Sequence, residues 1–148
     1  MIAIGIDPGV NTGLAVWDAD AQQFAEVTTT TIVAAMDIVL HYASQGRAVT
    51  LYAEDARQRK WIPREASISQ FKGRAMGAGS VKRDCSIWEE FAKHYVIPLV
   101  LVPPRKGMTK WDAGYFAKVT GWTGRTSDHA RDAAMLVFQR KNNQAERH

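Results

Sequence analysis

Apolar positions alternate from the start of the chain: Ile2, Ile4 and Ile6 are separated by Ala3 and Gly5 and run into Asp7-Pro8-Gly9. Such a period of two reads as a β-strand, and a proline with fixed φ followed by a glycine tolerant of positive φ ends it in a turn. A first strand therefore ends at Asp7. Gly13 to Trp17 returns as a second strand, and Phe24 to Ile32, rich in β-branched threonine, reads as a third, so the opening is an antiparallel meander. The period then changes. Val33, Met36, Val39 or Leu40 and Ala43 fall at helical spacing, and Gly46 suits a C-terminal stop. Val49 to Glu54 predicts a fourth strand.

Further on, Val81, Cys85, Trp88, Ala92 and Tyr95 form one apolar stripe on a helix of about four turns. Val96 to Val102 is an apolar run of strand length that Pro103-Pro104 ends. Thr109 with Asp112 resembles a capping box, and Trp111, Tyr115 and Val119 then repeat every four residues until Gly121 to Gly124 break the helix. Ser127 or Asp128 suits the cap of a last helix reaching about Gln139, with Arg140 to His148 as a frayed polar tail. The order β-β-β-α-β-α-β-α-α predicts one α/β domain over residues 1–139 and a tail over 140–148.

A chain of 148 residues has the length of one domain and buries about 68–70% of its unfolded surface. With 46% hydrophobic and 23% charged residues it falls outside the disordered class. The single cysteine, Cys85, excludes an intrachain disulfide framework and a cysteine-based zinc site and suits a reducing compartment. Met1 to Asp7 lacks the basic start and long apolar core of a signal peptide, and the longest apolar run, seven residues including Pro98, falls short of the ~20 that cross a bilayer. The expectation is a soluble cytoplasmic protein with no membrane partner.

Charge changes the picture more. The net charge is +4, but residues 1–56 carry −6, residues 57–83 carry +7 and the remainder +3. The basic stretch holds Arg57, Arg59, Lys60, Lys72 and Arg74 together with Trp61 and Phe71. It reads as a mobile arm that meets phosphate oxygens and stacks on bases, or as a solvated loop with ordinary surface charge.

Three acids come from three separate elements. Asp7 and Glu54 close strands, and Asp132 lies on the last helix among Ala130, Ala133 and Ala134, small residues that let a helix lie close to a sheet. His129 precedes Asp132 by three and shares its face, while Asp128 fits a helix cap better than a ligand. Alternation places Asp55 opposite Glu54, which leaves Glu54 the inward acid. Gathering such acids costs repulsion unless a cation sits between them, and carboxylate oxygens with water are the ligands Mg²⁺ or Mn²⁺ prefers. Each residue also has a plain structural reading: Asp7 as a turn residue, Glu54 as a strand-end charge, His129 as a surface side chain.

Ile4-Gly5-Ile6-Asp7-Pro8-Gly9 with Thr12-Gly13, Leu51-Tyr52-Ala53-Glu54, and His129-Ala130-Arg131-Asp132-Ala133-Ala134 together resemble the RuvC-like Holliday junction resolvases of the ribonuclease H-like superfamily, including their bacteriophage members. The resemblance runs from Ile4 to about Val137. It implies a mixed five-stranded sheet flanked by helices, with three antiparallel strands and then parallel crossovers. It also implies a magnesium-dependent crossover junction endodeoxyribonuclease acting in DNA recombination and repair, with Asp7, Glu54, His129 and Asp132 as catalytic and metal-binding residues. His129 replaces the aspartate most members carry there. The family's aromatic residue after the second acid has Trp61 as its nearest counterpart, and its lysine near the start of the penultimate helix corresponds loosely to Lys110.

On this reading Asp7 bridges two ions, Glu54 and Asp132 hold one each, and His129 completes the second or orients the attacking water. Arg57, Arg59, Lys60, Trp61, Lys72, Arg74, Arg105, Lys106 and Lys110 bind DNA, chiefly through phosphates. A homodimer suits the two-fold symmetry of a four-way junction, with Ile87 and Phe91 either at the contact or buried under the sheet. Two other classes compete. An actin-like phosphotransferase also opens with strand-Asp-x-Gly but needs two lobes, and a silent branched-DNA scaffold has no need of three separated acids.

Overall fold

The computed structural model describes residues 1–58, 68–104 and 110–142, with the backbone alone at 56 and 68–78. The alternating start forms β1 (Ile2–Asp7), followed by β2 (Thr12–Asp18) and β3 (Gln23–Thr30). α1 (Ile32–Ala43) crosses over to β4 (Val49–Glu54), and α2 (Ile68–Tyr95) crosses over to β5 (Leu99–Val102). α3 (Ala113–Thr120) and α4 (Asp128–Val137) end the domain. The sheet order is β3-β2-β1-β4-β5. β1, β2 and β3 pair antiparallel, as tight connections allow, whereas β1–β4 and β4–β5 pair parallel because a helix intervenes.

The period of two sorts side chains onto two faces. Ile2, Ile4, Ile6, Leu14, Val16, Leu51 and Ala53 pack against Ala35 and Val39 of α1 and Trp88, Phe91 and Ala92 of α2. Each fully buried Ile or Leu there contributes about 1.5–3 kcal/mol relative to exposure. The other face carries Ala3, Ala15, Trp17, Phe24, Val27 and Tyr52 under Phe116 of α3 and Ala130, Ala133, Ala134 and Val137 of α4. The even positions of β1 thus face α1 and α2, and the odd positions face α4.

Several predicted boundaries move. β3 stops at Thr30 rather than Ile32, because Thr31 caps α1 with its side chain accepting from the Ala34 amide. The capping residue of α3 is Asp112, whose Oδ1 accepts from the Tyr115 amide at 2.8 Å, so Trp111 precedes the helix, and Thr109 of the predicted box lies outside the described residues. β5 begins at Leu99, since Val96 takes a left-handed φ of 56° and the Ile97 amide still bonds back to Ala92. α2 begins at Ile68, so residues 68–83 of the expected mobile arm are helical backbone continuous with the predicted stripe. Phe91 is buried beneath the sheet rather than presented for a dimer contact.

The expected tail is tied down at its start. Trp17 Nε1 and Gln22 Nε2 both donate to the Arg140 carbonyl, the Arg140 guanidinium lies 3.8 Å over the Tyr52 ring, and the Met1 amine donates to Asn142.

Candidate active site

Asp7 occupies an odd position of β1 and therefore shares the face of Ala3 and Gly5. In the parallel register Ile6 sits beside Ala53, so the next residues, Asp7 and Glu54, end neighbouring strands side by side. Glu54 shares its face with Tyr52, the face α4 covers. Asp55 projects to the opposite side, as alternation predicts, and there its carboxylate takes the Arg57 guanidinium.

Two missing β-carbons bring α4 down onto these strand ends. A Cβ on Gly5 would lie 2.1 Å from the Ala133 carbonyl oxygen, and one on Gly13 would lie 1.9 Å from that of His129. Gly13 is the cross-strand partner of Asp7. The first turn of α4 is thus laid directly over the end of β1. Ser127 fixes that turn by capping the Ala130 amide while its hydroxyl meets Thr29. His129 Nδ1 then reaches Asp7 Oδ2 at 2.9 Å. His129 and Asp132 lie three apart on one helical face.

Electrostatics places the other acids nearby. Burial raises the Asp7 carboxyl above its ordinary range, the bond from His129 opposes this, and the negative charges of Asp132 and Glu54 push it further up. Asp132 Oδ2 accepts from Lys110 Nζ at 3.1 Å. That bond raises the Lys110 ammonium, with the fields of Asp7 and Asp128 adding to it. Asp7, Glu54, His129, Asp132 and Lys110 therefore share one neighbourhood. The Cys85 thiol points to the Glu54 backbone carbonyl at 3.5 Å, which ties the end of β4 to α2.

Asp7 takes His129 and Asp132 takes Lys110, and among the described residues no three His, Cys, Asp or Glu side chains form a ready-made metal cage. The donor chemistry nevertheless fits a hard divalent ion. Three carboxylates supply oxygen and one imidazole supplies nitrogen, and Asp7 already bears the cost of burial beside two like charges, which a cation would relieve.

Of the residues expected to meet DNA, Lys110 lies at the site, its side chain otherwise open to solvent. Arg57 is engaged elsewhere: its guanidinium is shared between Asp55 and Glu89 of α2, joining β4's end to that helix. Lys72 and Arg74 fall within α2. Arg59, Lys60, Trp61, Arg105 and Lys106 lie outside the described residues. Asp128 is in the first turn of α4 rather than its cap and pairs with Arg131. Arg131, between His129 and Asp132, is the residue sequence reasoning passed over, although an arginine on a helix that packs through Ala130, Ala133 and Ala134 must find acceptors.

Among the described residues no helix is long and apolar enough to cross a membrane. No protein-family model and no curated protein matches the chain.

Proposed function

We propose that this chain is a divalent-metal-dependent endonuclease that cuts branched DNA, four-way junctions foremost, and that its α/β domain is a ribonuclease H-like fold of the RuvC-like kind. The observation that carries the reading is the convergence of Asp7, Glu54, His129 and Asp132, from β1, β4 and α4, on one face at the strand ends. The strand order with three antiparallel strands, then helical crossovers, supports the fold assignment.

A bound divalent ion would act as a Lewis acid on the phosphate and lower the pKa of an attacking water. Asp7, Glu54 and Asp132 would hold such an ion through their carboxylate oxygens. His129 holds Asp7 in position and offers a nitrogen ligand or a partner for water. Lys110, anchored on Asp132 with an exposed stem, is placed to meet a phosphate oxygen. The basic segment 57–83, apart from Arg57, supplies further phosphate contacts that recognise shape rather than sequence. A homodimer would present two such sites to symmetric strands of a junction.

The test incubates the chain with a synthetic immobile four-way junction, a flap and a plain duplex, with and without Mg²⁺ or Mn²⁺. Expected is metal-dependent cleavage of the junction in preference to the duplex. Metal-independent binding without cleavage would replace the nuclease reading with the scaffold one.

A further inference from the structure

Lys110 and Trp111 belong to no helix or strand, since β5 ends at Val102 and α3 begins at Ala113. Yet Lys110 meets Asp132 across the candidate site. Something must hold the chain there. The Arg131 side chain, about a tenth exposed, spreads its donors over three places. Nε donates to the Trp111 carbonyl at 3.0 Å, and Nη1 donates to the Thr126 carbonyl at 2.7 Å and to the Thr126 hydroxyl at 2.9 Å. Nη2 pairs with the Asp128 carboxylate. The Trp111 ring adds an edge contact to Tyr115 at 4.9 Å and one to Phe138 at 6.2 Å.

We infer that Arg131 is a positioning residue: it fastens the Lys110–Trp111 segment to α4 and so sets the Lys110 ammonium against Asp132. The consequence for catalysis rests on the proposed nuclease reading; the fastening itself does not. Residues 131 and 132 point about 100° apart around the helix. One side chain grips the main chain beside Lys110, and the next accepts from its ammonium. A single turn of α4 therefore fixes both ends of a long, flexible lysine. The task requires arginine, because only a planar fork with five donors reaches several acceptors in fixed directions. A lysine at 131 brings one ammonium and cannot hold the Trp111 and Thr126 carbonyls together.

The test uses the full chain with Arg131→Met and Arg131→Lys, with folding checked by circular dichroism. Hydrogen exchange read by mass spectrometry should accelerate several-fold at the Tyr115 and Phe116 amides, which donate to Asp112 beside the fastened segment, in both variants, while β1 and α2 keep wild-type protection. In junction cleavage, Arg131→Met should lower kcat by about 10- to 100-fold, the size expected when a catalytic group is displaced. Combined with Lys110→Ala, it should cost no more than Lys110→Ala alone, because both act through one group. Wild-type exchange at Tyr115 and Phe116, exchange raised everywhere, or additive losses in the double variant each overturn the inference. So does the failure of both Arg131 variants to fold, which assigns Arg131 to the fold alone. If the wild-type chain cuts no DNA, the nuclease reading falls and the exchange measurement still decides the role of Arg131.

Discussion

The ring Nδ1 of His129 lies 2.9 Å from Oδ2 of Asp7, joining positions 122 residues apart. The contact makes α4 part of the acid site as well as a cover for the sheet. Replacing His129 by aspartate sets a second carboxylate beside one already raised by burial and by its acidic neighbours. His129→Asp should therefore melt below the wild type without divalent ions, gain more from added Mg²⁺ than the wild type does, and keep Mg²⁺-dependent cleavage. Thermal melts with and without Mg²⁺ check this, and a folded but inactive His129→Asp would show that the imidazole has a chemical role of its own.

Asp7 itself makes a pH prediction. Burial, and then the charges of Asp132 and Glu54 against the opposing bond from His129, leave its carboxyl raised above the ordinary value of 3.8. The folded state thus holds the proton more tightly than the unfolded state. The stability this contributes is complete below the ordinary value and is lost as pH rises through the raised one. Asp7→Asn imitates the protonated form. Its melting temperature should exceed that of the wild type at neutral pH, with the gap closing toward acid, while cleavage falls to background. Glu54→Gln and Asp132→Asn should lose cleavage as well. A destabilised Asp7→Asn at neutral pH would mean that the ionised carboxylate supports the fold.

Gly13 is expected to tolerate no side chain. Its would-be Cβ falls 1.9 Å from the His129 carbonyl oxygen, backbone that cannot rotate aside. Gly13→Ala should cost about 1–3 kcal/mol, the range of overpacking a close contact, and should lift the first turn of α4 away from Asp7. Urea unfolding measures the first effect and loss of cleavage the second. Wild-type stability and activity in Gly13→Ala would show that α4 can shift without harm.

The parts of this fold legible in the sequence are those where side-chain period and burial coincide. Ile2 to Ile6 alternate large with small residues because one face packs on α1 and α2 while the other takes α4 closely, and the same period of two places Asp7 and Glu54 on the α4 face. Boundaries set by single side chains were less visible: Thr31 and Asp112 each compete as cap against strand or box readings that fit the same letters. The first half of α2 is hidden for another reason, since Gly73, Gly77 and Gly79 weaken helix propensity and no apolar stripe begins before Val81. Arg131 escaped because its acceptors at 111 and 126 are brought to it only by tertiary packing.

Two kinds of basic side chain share the 57–83 segment. Arg57 sits at the end of β4 with its guanidinium between Asp55, itself buried, and Glu89 on α2. Its charge is already matched within the protein, and those bonds hold the Asp55 carboxyl below the usual carboxylate range. Arg57→Ala should therefore lower the melting temperature and leave the slope of log K against log salt for junction binding unchanged. If Lys60 contacts a phosphate, Lys60→Ala should do the reverse, sparing the melt and reducing the slope by about 0.9, the loss of one released counterion. Fluorescence anisotropy titrations over a range of salt read both slopes. A reduced slope for Arg57→Ala would mean that DNA draws its guanidinium away from Asp55 and Glu89, and that the β4–α2 junction opens when the substrate binds.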